Sequence, residues 1–415
     1  MLTWPRCVDE DTGRGGSDAW GFARLPDGPD VKARLLELVT VVLSTALCLA
    51  AVEGLFAMLN ARGTVPPPDP AVVPGPGTEL SRFTVYHPLL GHDGKPNVRG
   101  TFGRKVVTQN SKGNRGPEVD FAKPPGVRRV VILGDSQAWG YGVHDDETIA
   151  ARLADRLDRG TRGRFEVVNL GVSGYGTDQS FLKFLVQGIR YEPDFVVFVV
   201  FKNDIHENET TVAWGVEKPR FYLKEGGQLC LGNIPPPRAR GWPEDAVVQA
   251  HGANGERTAF DLRRTQTYRF LAGREWRFSR PGATLASPAS MADVRRYVTC
   301  VENRPGYGGE GVGEDLLVRL FEALDQLCRE RKARLVALFT PKPKEVAEPS
   351  SPTYYDGIKG RFDRAGIASV DLQQLVATRS EAGELFGEGD PHLSARGSAI
   401  AAEALAEVIL AEDRH

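Results

Sequence analysis

Short apolar runs alternate with longer amphipathic stretches over most of the chain after residue 128. The runs have the length and the Val, Ile and Phe content of strands buried on both faces, and the stretches between them have the period of helices. Strands joined through helices pair in parallel, with helices on both faces of the sheet. The pattern predicts an α/β fold, a three-layer α/β/α sandwich around a mainly parallel sheet of about five strands. The predicted strands are Val130–Leu133, Phe165–Leu170, Phe195–Phe201, Leu335–Phe339 and Ala368–Leu372, and the predicted helices are Thr148–Arg159, Asp178–Ile189, Gly313–Glu330 and Ala395–Ala411.

Candidate site residues follow three of these strands directly. The first strand ends in Gly134-Asp135-Ser136, the second leads into Gly171, and the third leads into Lys202-Asn203. A fourth segment, Gly389-Asp-Pro-His-Leu-Ser394, precedes the last helix. Ligands of parallel sheets bind outside the carboxyl ends of the strands, so the sequence predicts a site there.

Ser136, His392 and Asp390 have the chemistry of nucleophilic catalysis. A serine hydroxyl becomes a useful nucleophile when an imidazole takes its proton, and a carboxylate then fixes the tautomer of the imidazole. Residues i and i+2 of an extended segment project to the same side, so Asp390 can reach the ring of His392. Glu388 is the alternative acid, and a serine–histidine dyad with a backbone acceptor is another alternative. An ordinary helix N-cap at Asp135-Ser136 is the alternative to a nucleophile.

A tetrahedral intermediate also needs fixed hydrogen-bond donors aimed at its oxyanion. The backbone N–H groups of Gly171 and Ser136 and the side-chain amide of Asn203 meet this need, since glycine allows close approach and an amide donates without charge. The alternatives are a purely structural turn at Gly171 and a helix cap at Asn203.

These four segments together resemble the SGNH (GDSL-type) hydrolase family, whose blocks are named for Ser, Gly, Asn and His. The resemblance implies a flavodoxin-like sandwich, Ser136 as nucleophile, His392 as base, Asp390 as acid, and an oxyanion hole from Ser136, Gly171 and Asn203. The upstream runs Tyr86–Gly91, Lys95–Gly100 and Gln109–Glu118 resemble those of membrane-anchored bacterial members.

The chain departs from the family pattern in three places. The acid lies two residues before the histidine instead of three, where Gly389 stands. Gln137 follows the serine in place of the commoner leucine, and Phe201 replaces the leading glycine of the third block. The last two changes are expected to alter the shape of the pocket more than the mechanism.

The N-terminal part contains a separate signal. Residues 35–59 form an apolar stretch of about 25 residues interrupted by Glu37 and Glu53, and a membrane-spanning helix needs roughly 20. Lys32 and Arg34 precede the stretch closely, which places the N-terminus in the cytoplasm. An amphipathic or core helix is the alternative, which Glu53 favours. The predicted organisation is a disordered cytoplasmic tail at 1–34, a transmembrane helix at 35–59, a Pro-rich linker at 60–80 and an extracytoplasmic hydrolase domain at 81–412 with an insertion at about 207–311.

Composition excludes several classes of function. The chain has 415 residues and a formal net charge of −2, which gives no reason to expect nucleic acid as a partner. No Walker loop, dinucleotide fingerprint or CxxC pair is present, and we expect neither a cofactor nor a metal. Of the five cysteines, Cys230 and Cys300 both lie in the insertion and could form a disulfide outside the cytoplasm.

The sequence therefore predicts a single-pass cell-membrane protein with a serine ester hydrolase domain that acts through an acyl-enzyme intermediate. Its partners would be the lipid bilayer and an ester-bearing small molecule or polysaccharide. The ester is an O-acyl ester, and an O-acetyl ester is one candidate. The alternatives are an O-acyltransferase acting on an envelope polysaccharide and a non-catalytic glycan-binding or assembly subunit.

Overall fold

The computed structural model of the protein describes one large unit in detail. Contacts divide the chain into two units, of which the larger comprises residues 64–264 and 268–415. Of the smaller unit, Thr40 and Ser44 are described, and both are helical. The other described residues are 79–161, 165–224, 227–234, 236, 298, 300–301, 312–350, 352–377 and 382–413.

Five parallel strands form the central sheet, as the sequence predicts. Each predicted strand is present within two residues of its predicted ends. The strands among the described residues are β1 Thr84–His87, β2 Gly91–Gly94, β3 Val98–Phe102, β4 Lys105–Gln109, β5 Arg128–Gly134, β6 Phe165–Asn169, β7 Phe195–Val200, β8 Val212–Ala213, β9 Val216–Glu217, β10 Arg220–Leu223, β11 Leu229–Gly232, β12 Cys300–Val301, β13 Arg334–Phe339 and β14 Ala368–Asp371.

Helices lie on both sides of this sheet. The four predicted helices are confirmed, and Asp178–Ile189 ends earlier than predicted because a 3₁₀ turn follows it at Gly188–Tyr191. The other described 3₁₀ turns are Leu80–Arg82, Asp145–Glu147 and Ala382–Glu384. The helices that the structure describes in the larger unit are α1 Ser136–Trp139, α2 Ile149–Thr161, α3 Thr177–Val186, α4 Asn203–Glu207, α5 Val312–Glu330, α6 Pro343–Ala347, α7 Asp356–Ala365, α8 Leu372–Ala377 and α9 Ala395–Glu412.

Alternating side chains of β5 separate two hydrophobic cores. Val131 and Leu133 pack in one core with residues of α3, α5 and α7. Val130 and Ile132 pack in the other with residues of α2, α8 and α9. Successive side chains of a strand point to opposite faces, so the sheet is the middle layer of an α/β/α sandwich.

The order of the strands defines where a ligand can bind. The strand order of the sheet is β14-β13-β7-β5-β6. The strand that follows β5 in the chain, β6, lies on one side of β5, and β7 lies on the other, so the point between β5 and β7 is a topological switch point. Helices on either side of such a switch point lie on opposite faces, which opens a crevice at the carboxyl ends of the strands. Ser136 follows β5 and Asn203 follows β7, so both residues lie at this crevice.

The predictions for the N-terminal region lie almost wholly outside the described residues. The predicted tail, transmembrane helix and linker at 1–34, 35–59 and 60–80 contain four described residues, Thr40, Ser44, Glu79 and Leu80. Within the described part of the chain, no helix combines the length and the hydropathy of a membrane span.

Part of the predicted insertion forms small sheets. The strands β8 and β9 make a hairpin, and β10, β11 and β12 make a separate three-stranded sheet. Cys230 lies fully buried in β11 and is disulfide-bonded. The register of β11 and β12 places Cys230 directly opposite Cys300. Paired residues of neighbouring strands lie about 5 Å apart, a separation that suits a disulfide.

We therefore predict a disulfide between Cys230 and Cys300. Alkylation of the unreduced protein followed by peptide mapping should yield a crosslinked pair of peptides that carry these two cysteines. Cys328 is free and buried, and should be alkylated after denaturation, which provides the internal control. Recovery of an alkylated Cys300 peptide from the unreduced protein would contradict the pairing.

Candidate active site

A sharp turn delivers Ser136 from the sheet. Gly134 ends β5 with φ +139°, and a Cβ at this position would lie 2.7 Å from the carbonyl oxygen of Val199 in β7. Glycine is therefore required for the close approach of the two strands at the turn. Asp135 then caps α1, because its Oδ1 accepts the N–H of Gln137 at 2.9 Å. The N–H of Ser136 lies in the first turn of α1, where no intrahelical acceptor exists.

His392 connects Ser136 to a carboxylate. Nε2 of His392 lies 2.8 Å from Oγ of Ser136, and Nδ1 lies 2.6 Å from Oδ1 of Asp390. The same Oδ1 accepts the backbone N–H of His392 at 2.9 Å, so the segment folds the carboxylate back onto the ring. Glu388 is exposed and makes no described contact with the ring. Of the two acids that the sequence offers, the structure brings Asp390 to His392.

The environment of Asp390 favours its charged form. Burial acts to raise the pKa of this carboxyl, but the hydrogen bonds from the ring and backbone of His392 outweigh it and hold the pKa below its ordinary value. A carboxylate beside Nδ1 keeps the proton on that nitrogen and leaves Nε2 free to accept one from Ser136.

Tyr141 covers one face of the His392 ring. The two rings stack with centroids 4.2 Å apart and an interplanar angle of 23°. Phe102, at the end of β3, packs edge-on against Tyr141 with centroids 4.9 Å apart. The ring of His392 is thus held between a stacked aromatic side chain and its carboxylate, which restricts its rotation.

Gly171 does not provide the free donor that the sequence predicts. Its N–H donates to Oδ1 of Asn169 at 2.9 Å, and Nδ2 of Asn169 donates to the carbonyl of Ala138 at 3.0 Å. A Cβ on Gly171 would lie 2.6 Å from the backbone nitrogen of Trp139. The glycine is therefore needed for close packing against α1. Gly174, in the same turn with φ +82°, has an N–H without an acceptor among the described residues.

Asn203 is held by a buried carboxyl group that the sequence did not indicate. Its Nδ2 donates to Oε1 of Glu207 at 3.0 Å, which leaves the second N–H of the amide for another acceptor. The indole N–H of Trp214 donates to the same oxygen. Glu207 is 6% exposed and lies one helical turn after Asn203. The spacing of four residues is the signal that could have paired these two side chains.

Arg115 holds the far end of α1. Arg115 is 3% exposed, and its guanidinium donates to the carbonyls of Trp139, Gly140 and Val143 and to Oδ1 of Asp145. Helices leave their last carbonyls unpaired, and a cation there offsets the dipole. Arg115 therefore stabilises the helix that begins with Ser136.

Comparison with known proteins identifies the family of this chain. The model of the GDSL-like Lipase/Acylhydrolase family matches residues 132–400, which span all four segments. The chain belongs to this family. As a GDSL-like acylhydrolase of the SGNH type, the protein is an esterase. No curated protein matches the chain.

Several solved structures of esterases and lipases are similar to this GDSL-like protein. A GDSL-like lipase from Bacteroides thetaiotaomicron VPI-5482 is 12% identical, with 69% of this chain and 89% of that chain covered and a TM-score of 0.33. The psychrotrophic esterase EstA from Pseudoalteromonas sp. is 11% identical, with 69% and 100% covered and a TM-score of 0.35. The acetyl xylan esterase AlAXEase is 13% identical, with 68% and 99% covered and a TM-score of 0.36.

Three acidic side chains lie buried beside the site of this GDSL-like protein. Burial is the main cause that raises the pKa of Asp135, Asp204 and Glu207 above their ordinary values. The charge of Asp135 raises the pKa of Asp204 further, and the pKa of Glu207 reaches about 8. Glu207 is therefore mostly protonated at pH 7 while it accepts the N–H of Asn203 through Oε1.

We predict that Glu207 makes the protein less stable as the pH rises. In the folded chain Glu207 binds its proton up to a pH of about 8, whereas the unfolded chain releases it near 4.5. The folded state therefore holds more protons over this range, and the free energy of unfolding falls as the pH rises through it. Thermal unfolding at about pH 5.5 and about pH 8.5 should show a smaller loss of Tm for Glu207→Gln than for the wild type.

The matched control is Glu407→Gln, which changes an exposed carboxylate of α9. This variant should keep the pH dependence of the wild type. An unchanged pH dependence in Glu207→Gln would show that Glu207 is ionised in the folded protein at neutral pH.

Proposed function

We propose that the protein is a serine ester hydrolase that acts through an acyl-enzyme intermediate on an O-acyl ester. The observation that carries this proposal is the continuous set of hydrogen bonds from Oγ of Ser136 through both ring nitrogens of His392 to Asp390. Such a set activates a hydroxyl for attack on a carbonyl carbon.

The reaction takes two steps. Nε2 of His392 takes the proton of Ser136 as Oγ attacks the carbonyl carbon of the ester, and the tetrahedral intermediate collapses when the alcohol leaves with that proton. Water then gives its proton to His392 and attacks the acyl-serine, and the second collapse returns the proton to Ser136 and releases the carboxylic acid. Asp390 stabilises the imidazolium that forms in each step.

The oxyanion faces three donors in this proposal. The first two are the N–H of Ser136, which has no intrahelical acceptor, and the second N–H of the Asn203 amide. The third is the N–H of Gly174, which replaces Gly171 because the amide of Gly171 is already bonded to Asn169. Donors fixed before the reaction stabilise the developing charge without reorganisation.

An acetyl ester carries one of the smallest acyl groups in this class of substrate. Phe201 stands at the carboxyl end of β7 where the family pattern has glycine, and its ring packs against Tyr354 with centroids 6.4 Å apart. Phe201 lies two residues before Asn203 in the chain, and in this proposal its bulk narrows the space for the acyl group. Short acyl groups are therefore favoured, with an O-acetyl ester as the first substrate to test.

Replacement of the three residues should separate their roles. Ser136→Ala and His392→Ala should abolish labelling by a fluorophosphonate probe and lower ester turnover by roughly 10³-fold or more, because each removes the activated nucleophile. Asp390→Asn should lower kcat by roughly 10²–10⁴-fold, because Nδ1 loses its charged partner. The substrates are a panel of p-nitrophenyl esters from acetate to decanoate.

The matched control for Asp390→Asn is Glu388→Gln, which should turn over esters at the rate of the wild type. Turnover by Asp390→Asn equal to that of the wild type would remove Asp390 from the mechanism. Absence of both labelling and turnover above the Ser136→Ala background in the wild type would refute the hydrolase and favour a binding module.

The proposal also locates the catalytic domain outside the cytoplasm, anchored in the bilayer by residues 35–59. The apolar character of that segment supports the anchor. The disulfide at Cys230 supports the compartment, since disulfides persist in oxidising environments.

Protease added to intact cells without a wall should therefore digest the domain and spare a cytoplasmic marker protein. An epitope placed after residue 413 reports whether the domain is digested in this assay. Complete protection of the epitope, with loss of protection on lysis, would place the domain in the cytoplasm.

A further inference from the structure

Gln137 connects α1 to the segment Gly389–Ser394, which contains His392. Its side chain is 2% exposed. Nε2 donates to the carbonyl of Pro391 at 3.0 Å, and Oε1 accepts the N–H of Leu393 at 3.0 Å. These two backbone groups belong to the residues immediately before and after His392. One side-chain amide therefore holds both flanks of the residue whose ring meets Ser136.

The chemistry of the amide suits this arrangement. A carboxamide presents an acceptor and a donor side by side, as a peptide group does. The carbonyl of Pro391 can only accept and the N–H of Leu393 can only donate, so the orientation of the Gln137 amide is determined by its partners. The two hydrogen bonds resemble one pair of backbone hydrogen bonds between neighbouring strands, with the side-chain amide in place of a peptide group of one strand.

The other described backbone contacts of the segment hold it to itself and to the start of α9. The N–H of Gly387 donates to the carbonyl of His392 at 3.3 Å, and Leu393 pairs with Phe386 in an isolated bridge. The N–H of Ser394 donates to the carbonyl of Leu385 at 3.0 Å. None of these bonds connects the segment to α1. Gln137, which is next to Ser136 in the chain, makes that connection through its two hydrogen bonds.

We propose that Gln137 is a positioning residue that sets the distance and angle between Nε2 of His392 and Oγ of Ser136. This inference rests on the proposed hydrolase function. Proton transfer between these atoms depends on their alignment, and a displacement of about 1 Å can cost roughly 10²-fold in rate. A leucine, the residue that the name GDSL places here, has a similar volume but forms neither bond, so this chain uses hydrogen bonds where apolar packing would otherwise act.

The test compares Gln137→Leu and Gln137→Glu with the wild type. Gln137→Leu should lower kcat and the rate of fluorophosphonate labelling by roughly 10- to 100-fold with KM changed by no more than about twofold, because the base is misplaced and the pocket is intact. Gln137→Glu keeps an acceptor for Leu393 but sets a carboxylate oxygen against the carbonyl oxygen of Pro391, so it should also lower the rate of labelling by roughly 10-fold or more. If Gln137→Leu does not fold, Gln137→Glu decides the outcome.

A matched control separates positioning from general destabilisation. Gln373 is also buried and donates to a backbone carbonyl, that of Glu345, which lies outside the site. Gln373→Leu should lower Tm and leave the rate of labelling unchanged. Labelling at the rate of the wild type in both folded Gln137 variants would overturn the proposal.

Hydrogen exchange provides a readout that does not depend on activity. The N–H of Leu393 should exchange faster in Gln137→Leu than in the wild type, even if the wild-type protein hydrolyses no ester. If the wild type hydrolyses no ester and Leu393 still exchanges faster in Gln137→Leu, the hydrolase is refuted and the bridge is supported. Unchanged exchange of Leu393 in Gln137→Leu would refute the bridge.

Discussion

The close contact between Gly134 and Val199 is the constraint on which the site depends. Two buried parallel strands remain paired up to the last residue of β5, and the absence of a side chain at Gly134 lets the chain turn there into a helix. Ser136, the helix cap at Asp135 and the bridge from Gln137 all take their positions from this turn. Arg115 fixes the other end of the short helix, so Ser136 lies on a segment that is held at both ends.

Buried carboxyl groups beside the site have an electrostatic effect on the proposed reaction. An ionised acid next to the oxyanion would oppose the negative charge that develops there. Burial raises the pKa of Asp135, Asp204 and Glu207, which reduces the negative charge close to Asn203. Asp390 is more exposed, and its pKa lies below the ordinary value because His392 donates to it twice. The shifts in pKa thus favour the neutral form of the acids close to Asn203 and the charged form of Asp390 beside His392.

Local pattern in the sequence was sufficient for much of the fold. Buried parallel strands are continuous apolar runs, so all five strands of the sheet were predicted, and residues that follow them lie at the crevice because strand ends meet at one edge. The proximity of Asp390 to His392 was also a local matter, since only Pro391 lies between them. The N-terminal anchor stays a prediction.

Other features depended on the conformation of turns and on distant partners. The amide of Gly171 is bonded to Asn169, which follows from the path of the turn and not from the presence of glycine. Trp214 and Glu207 meet because a hairpin folds back over α4, and the sequence contains no spacing rule for that contact. Gln137 was recognised as a departure from the family pattern, but its two partners lie more than 250 residues away in the chain.

The same sequence separation affects how the protein acquires its activity. Ser136 and His392 are 256 residues apart, and Asp390 and the flanks of His392 arrive with the same late segment. Closing so long a loop is entropically costly, so we expect these contacts to form after the local helices and the first strand pairs. An incompletely folded chain therefore presents a serine without its base, and hydrolytic competence would mark the completion of folding. A growing chain is in this way prevented from acting on esters that it meets before it is fully folded.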